Sequence, residues 1–200
     1  MIPVSPQPEP AQFNSDVRQK GLAHLAKKGL ALDQPLPSGT KIQSYWRNCL
    51  DDLYTSYQST CAYLAVYFER GTGAASVDHF VAKSRLAGLT YEWSNYRLAC
   101  LGMNRCKNNF DDVLDPFTLQ GGWFHLDLLV DGRIFPNPAL SPADQGQVTN
   151  TIHRLGLNDP VHKKMRMRHF QEYIQHHFTA DYFKKISPFV WLEADRQGLL

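Results

Sequence analysis

The sequence predicts an α+β protein in which a short strand–loop–strand–helix unit is flanked by helices on both sides. The signals are local. In "TKIQSYWRNCLDDLYTSY", Ile42, Trp46, Leu50, Leu53, Tyr54 and Tyr57 recur at helical spacing, as a core-facing helix requires. The apolar runs "ASVDHF" and "YRLAC" are strand-length, with the loop "LAGLTYEWSN" between them and the helix-compatible "GMNRCKNNF" after them. Near the C-terminus, Asp159 followed by Pro160 suits an N-cap and first helical position, and "VHKKMRMRHFQEYIQHHF" continues as a helix.

Taken in order, the chain starts with four prolines in its first 13 residues, which favour an extended strap. Asp16 to Lys28 reads as a short helix that Gly29 could cap, and "DQPLPSG" breaks the chain before the aromatic helix. From Cys61, "CAYLAVYFE" reads as a first strand, "RGTGA" as a turn and "ASVDHF" as the returning arm of a hairpin. A second hairpin is expected in "WFHLDLLVDGRIFPNP", turning at Asp131-Gly132. The region from "TIHRLGLNDP" onward is expected to be helical.

Composition narrows the class. A chain of 200 residues can bury one continuous core, and 43% hydrophobic with 12% aromatic residues argues against disorder. The formal net charge of +2 is too small for bulk attraction to nucleic acid, so any such contact must come from a local patch. Four cysteines (Cys49, Cys61, Cys100 and Cys106) form no dense disulfide framework, and the first residues lack a signal-peptide layout. No run of about 18 apolar residues offers a membrane span, so a soluble cytoplasmic protein is expected.

The chemistry concentrates around His79. Asp78-His79 ends a strand, Asn95 lies in the following loop, and Asn104 stands at the start of the expected short helix. A strand–loop–strand–helix unit can gather such positions around one metal ion. Phosphodiester hydrolysis needs an activated water, a partner for the charge developing on phosphorus, and help for the leaving oxygen. Each residue also has an ordinary reading: a lone histidine flanked by phenylalanine is commonly structural, and asparagine is favoured in turns and at helix starts. The combination raises the catalytic reading above those.

On "VDHFVAKS", "EWSNYRLAC" and "MNRCK" the chain resembles the HNH endonucleases of the His-Me finger (ββα-metal) superfamily. The resemblance implies His79 as general base, Asn95 holding its tautomer and orientation, and Asp78 with Asn104 as oxygen ligands of Mg²⁺ or Mn²⁺. It implies a DNA-cleaving hydrolase, with DNA preferred over RNA. Lys107, one turn after Asn104, faces the same side of the helix and could contact a phosphate, as could Lys83. Through "LDPF", "DGRIFPNP" and "RLGLNDP" the chain is similar to the HNH subunit of Septu anti-phage defence systems, which implies an ATPase partner subunit in a hetero-oligomer. Many such proteins fix a structural zinc with two Cys-x-x-Cys pairs; here Cys61 and Cys100 stand as remnants, with Leu64 and Met103 at the partner positions, so zinc is expected to be lost and packing to replace it. Residues 1–60 are thus expected as strap and helices, 61–118 as the nuclease module, and 119–200 as hairpin and helical region. The basic run Lys163, Lys164, Arg166, Arg168 and His169 could bind DNA, serve as a solvated helix face or dock a partner. The rival to the enzyme is a non-catalytic DNA-binding or assembly subunit built on a degenerate HNH module.

Overall fold

The computed structural model describes residues 1–71 and 74–200. Thr72 and Gly73, in the turn expected from "RGTGA", lie outside the described residues. The architecture is α+β, with two small antiparallel sheets among helices. The chain divides into two compact units: a cleft unit of Pro6–Ser59 and Arg70–Asp111, and a hairpin unit of Met1–Ser5, Thr60–Glu69 and Asp112–Leu200. The N-terminal helices therefore fold with the central strands, a grouping that differs from the three consecutive segments read along the sequence.

In the cleft unit, a π-helical turn at Asn14–Arg18 leads into α1 (Gln19–Lys27), which closes at Gly29 with φ of +64°. That left-handed angle is the one glycine adopts without a Cβ penalty, and the Leu30 N–H returns to the Leu25 carbonyl at 3.1 Å. Gly21 is needed for a different reason: a Cβ there would lie 2.1 Å from Cγ of Tyr91, so the ring packs directly on the α1 backbone. The aromatic helix is shorter than its periodicity predicts. It runs as a 3₁₀ turn, Tyr45–Cys49, and then as α2 (Leu50–Ser56), burying Cys49, Leu53 and Tyr57. The chain before it is held extended from outside, since the Tyr91 hydroxyl donates to the Gln43 carbonyl at 2.7 Å.

β1 (Ala75–His79) pairs antiparallel with β2 (Tyr96–Cys100), in a register that sets Asp78 opposite Arg97 and His79 opposite Tyr96. α3 (Leu101–Lys107) follows β2 without a loop and packs on both strands. The partner of β1 is thus β2 and not the "CAYLAVYFE" segment. That segment, in the hairpin unit, is a tight turn: Ala65 has φ of +50°, its N–H bonds to the Cys61 carbonyl, and the Cys61 N–H bonds to the Val66 carbonyl. Cys61, Ala62, Tyr63, Ala65 and Val66 are all buried, so its apolar run covers a turn and does not alternate as a strand would.

The rest of the hairpin unit follows its local signals. β3 (Phe124–Leu126) pairs with β4 (Ile134–Pro136) across the turn containing Gly132, φ +72°, where a Cβ would come within 2.9 Å of the Lys163 carbonyl. α4 (Pro142–Arg154) is capped by the Ser141 hydroxyl, which accepts from Asp144 N–H. The sequence reading did not single this helix out. Then come α5 (Pro160–Ile174), α6 (Ala180–Ile186) and α7 (Pro188–Arg196), with Phe124, Leu126, Val148, Phe183, Phe189 and Val190 in the core. Among the described residues no helix is long and apolar enough to cross a membrane.

Two of the cations expected to meet nucleic acid are structural here. Arg166 is 2% exposed and donates from Nε to the Gly132 carbonyl at 2.9 Å and from Nη2 to that of Leu157 at 2.8 Å. Its delocalised charge closes the hairpin turn onto α5, which removes it as a DNA contact. Lys163 pairs with Asp131, and His169 shares a hydrogen bond with the buried Ser187, while Lys164 stays exposed. The basic run therefore divides between interior and surface instead of presenting one positive face.

Candidate active site

A cleft of about 800 Å³ opens in the cleft unit, lined by Val77, Asp78 and His79 from β1, by Ala82, Lys83 and Ser84 after it, and by Asn104 and Arg105 from α3. Trp46, Ile42 and residues 36–40 also line it. The latter segment is pinned beside the loop: Gly88 N–H bonds to the Leu32 carbonyl, Ala87 N–H to that of Gln34, and Leu36 N–H to that of Lys83.

His79 is 6% exposed and its orientation is fixed on several sides. Nε2 lies 2.9 Å from the Thr90 carbonyl oxygen, an acceptor with no proton to give. The Nε2 atom therefore carries the hydrogen, and in the neutral ring the lone pair sits on Nδ1. The Tyr96 hydroxyl donates to the same carbonyl at 2.9 Å. The rings of Trp46 and Tyr96 meet the imidazole edge-on, with centroids at 4.8 Å and 5.1 Å. Burial, with the Lys83 charge next and Lys107 adding to it, pushes the imidazole down to about 3, against the hydrogen bond to Thr90. At neutral pH the ring is uncharged.

Asn95 does not touch the imidazole in the role the sequence suggested. Its Oδ1 accepts from the Val81 N–H at 2.8 Å, and its Nδ2 donates to the carbonyls of Val81 (3.0 Å) and Leu89 (2.9 Å). The backbone carbonyl of Thr90 sets the tautomer, and Asn95 holds the loop that presents it. No side-chain pattern announces a backbone acceptor, so the sequence carried no signal for Thr90.

Asp78 is 2% exposed and lines the cleft. Asn104 donates from Nδ2 to Ser76 Oγ at 3.1 Å and to the Val77 carbonyl at 3.2 Å. Both bonds use the amide nitrogen, so the carbonyl oxygen Oδ1 is turned the other way as an acceptor. Among the described residues no group of three or more His, Cys, Asp and Glu side chains could hold a metal ion. A donor set of one carboxylate and one amide oxygen nevertheless fits a hard cation that keeps most of its water, as Mg²⁺ does. It does not suit zinc, which favours three or four protein ligands of nitrogen or sulfur.

The cations around the cleft have different fates. Lys107 is fully buried, and its Nζ donates to the Phe80 carbonyl at 2.9 Å and lies 5.2 Å from the centre of the Phe80 ring. Its place one turn after Asn104 does turn it toward the strands, but there it holds the chain leaving β1; it is no phosphate contact. Lys83 is half-buried, with Nζ 4.7 Å from the centre of the Trp46 indole, and burial lowers its pKa while Asp78 raises it. Trp46 thus contacts both Lys83 and His79, at a position its helical spacing marked as core. Of the four residues at the zinc-pair positions, Cys61 and Leu64 belong to the hairpin unit and Cys100 and Met103 to the cleft unit; Cys61 and Met103 are buried, and among the described residues no cysteine is in a disulfide. Comparison with protein-family models finds no match, and comparison with curated proteins finds none either.

Proposed function

We propose that the chain is a metal-dependent endonuclease of the HNH, ββα-metal kind, hydrolysing phosphodiester bonds of DNA. The observation that carries the reading is the single-tautomer imidazole of His79, its Nε2–H on a backbone carbonyl, in a cleft also lined by Asp78 and Asn104. Nδ1 accepts the proton of a water whose oxygen attacks phosphorus, and the phosphorus–oxygen bond to the leaving strand end breaks as a solvent water protonates that oxygen. An imidazole held near 3 is a weak base. An entering phosphodiester, opposite in charge to Lys83, moves it back toward neutrality.

Asp78 and the Asn104 Oδ1 would hold the divalent ion, which when bound supplies charge neutralisation for the phosphate and acidity to a bound water. Among the described residues Asp78 is the sole carboxylate lining the cleft, and it repels phosphate unless a cation offsets it. The likeness to the Septu nuclease subunit adds a cytoplasmic ATPase partner and a role in anti-phage defence to the proposal. A plasmid-nicking assay tests the core of it. Wild type with Mg²⁺ should cut, EDTA should stop it, and His79→Ala should lower the rate by about 10²–10⁴-fold. Binding of DNA with no cutting, with or without a coexpressed ATPase, would favour the assembly-subunit reading instead.

A further inference from the structure

We infer that Arg105 is the residue of α3 that grips a backbone phosphate in the cleft, the role its helix spacing suggested for Lys107. The inference rests on the nucleic-acid reading of the site and goes beyond it by assigning the contact. The cleft unit places five cations on β2, on α3 and between the two strands, and one of them, Arg85, is ion-paired with Asp111. Lys107 is committed to the Phe80 carbonyl, and Arg97, 4% exposed, donates from Nη1 to the carbonyls of Ser94 (2.8 Å) and Tyr96 (3.0 Å). Neither can leave its acceptors without stranding buried backbone oxygens. Lys83 reaches the cleft but is half-buried against Trp46.

Arg105 differs from the other four. It is exposed, lines the same cleft as Asp78 and His79, follows Asn104 directly, and has no ion-pair or hydrogen-bond partner among the described residues. A guanidinium in that state keeps its planar fork of N–H donors for an incoming anion, and the fork matches two phosphate oxygens at once. The electrostatics call for such a group. Asp78 places a negative charge in the cleft that a phosphodiester must approach, and the two cations on the lining, Lys83 and Arg105, are what can offset it. Lys83 acts from beside the indole, and Arg105 from the surface of α3.

The test is equilibrium binding of a fluorescein-labelled DNA duplex, read by anisotropy in EDTA from about 50 to about 200 mM salt, where backbone contacts show as a slope of log affinity against log salt. Arg105→Ala should bind about tenfold more weakly at the low-salt end and lose about one from that slope, and Arg105→Lys should restore the slope but less of the affinity. Lys27→Ala, an exposed cation on α1 outside the cleft lining, is the charge control and should bind as wild type does. Unchanged affinity and slope in Arg105→Ala, or an equal loss in Lys27→Ala, would overturn the inference. A wild type that binds but does not cut with Mg²⁺ refutes the nuclease reading while the Arg105 contact stands. One that cuts while Arg105→Ala binds normally does the reverse, and a wild type with no affinity for DNA at low salt sinks both.

Discussion

Replacing Asn95 by alanine separates the two roles this residue could have. Were it the orienting partner of His79, its loss would damage catalysis with little effect on stability. The structure gives it three hydrogen bonds, to the Val81 N–H, the Val81 carbonyl and the Leu89 carbonyl, and burial to 4% exposure. Alanine leaves three backbone groups without that partner, and a buried unsatisfied group costs about 1–3 kcal/mol. These groups are part-buried and can recruit some water, so the low end applies, about 1 kcal/mol each and roughly 3 kcal/mol together. With a urea m-value of about 2 kcal/mol/M, the midpoint of the cleft unit's transition should fall by about 1.5 M. Hydrogen exchange adds a local reading: the Val81 amide should lose protection in Asn95→Ala but keep it in Asn95→Asp, which retains the acceptor while setting a carboxylate against two carbonyls. An unshifted midpoint together with a protected Val81 amide in the alanine variant would refute the assignment of Asn95 to the loop.

Lys107→Met should cost about 1–3 kcal/mol by leaving the Phe80 carbonyl unpaired, measured by urea unfolding; a variant as stable as wild type but weaker on DNA would restore Lys107 to the phosphate. Arg166→Met removes the donors that close the hairpin turn onto α5, and chemical denaturation should show a loss of several kcal/mol, whereas Lys164→Met, at an exposed position, should stay within about 0.5 kcal/mol. Acid should destabilise the hairpin unit through His169. Burial first, and Arg168 second, hold its imidazole down to about 4 from 6.5. The unfolded chain therefore binds a proton that the folded chain does not, and stability is complete above about 6.5 and declines as pH falls toward 4. Thermal melts across that window should show a shallower decline for His169→Gln, and parallel curves for the two proteins would discount the histidine.

How much of this was legible in the sequence depends on where each signal resides. The β1, β2 and α3 segments and the hairpin at Gly132 were readable because strand length, loop composition and a glycine with φ of +72° are local properties. The "CAYLAVYFE" turn was not, since an apolar run of that length fits a strand as well as a buried turn, and the choice rests on the positive φ of Ala65 and the bonds between Cys61 and Val66. The aromatic helix was over-extended for a related reason. Its periodicity begins at Ile42, but the backbone there is claimed by a tyrosine hydroxyl from nearly fifty residues away.

The cations make the sharper case, because spacing shows which way a side chain leaves its helix but not what it meets. Lys107 and Arg105 lie two residues apart on one short helix, so they cannot share a face. Placing Lys107 beneath the strand pair commits it to the Phe80 carbonyl, at the end of the strand that carries Asp78 and His79. The same placement turns Arg105 outward to the surface of α3, where it is exposed on the cleft lining. One helix thus supplies a buried ammonium that holds the chain leaving β1 and a guanidinium on the cleft lining with no partner among the described residues. A basic residue near a suspected phosphate site is therefore informative only after its hydrogen bonds are known: a cation that already satisfies a buried carbonyl holds the scaffold, and one without a partner is available to a ligand.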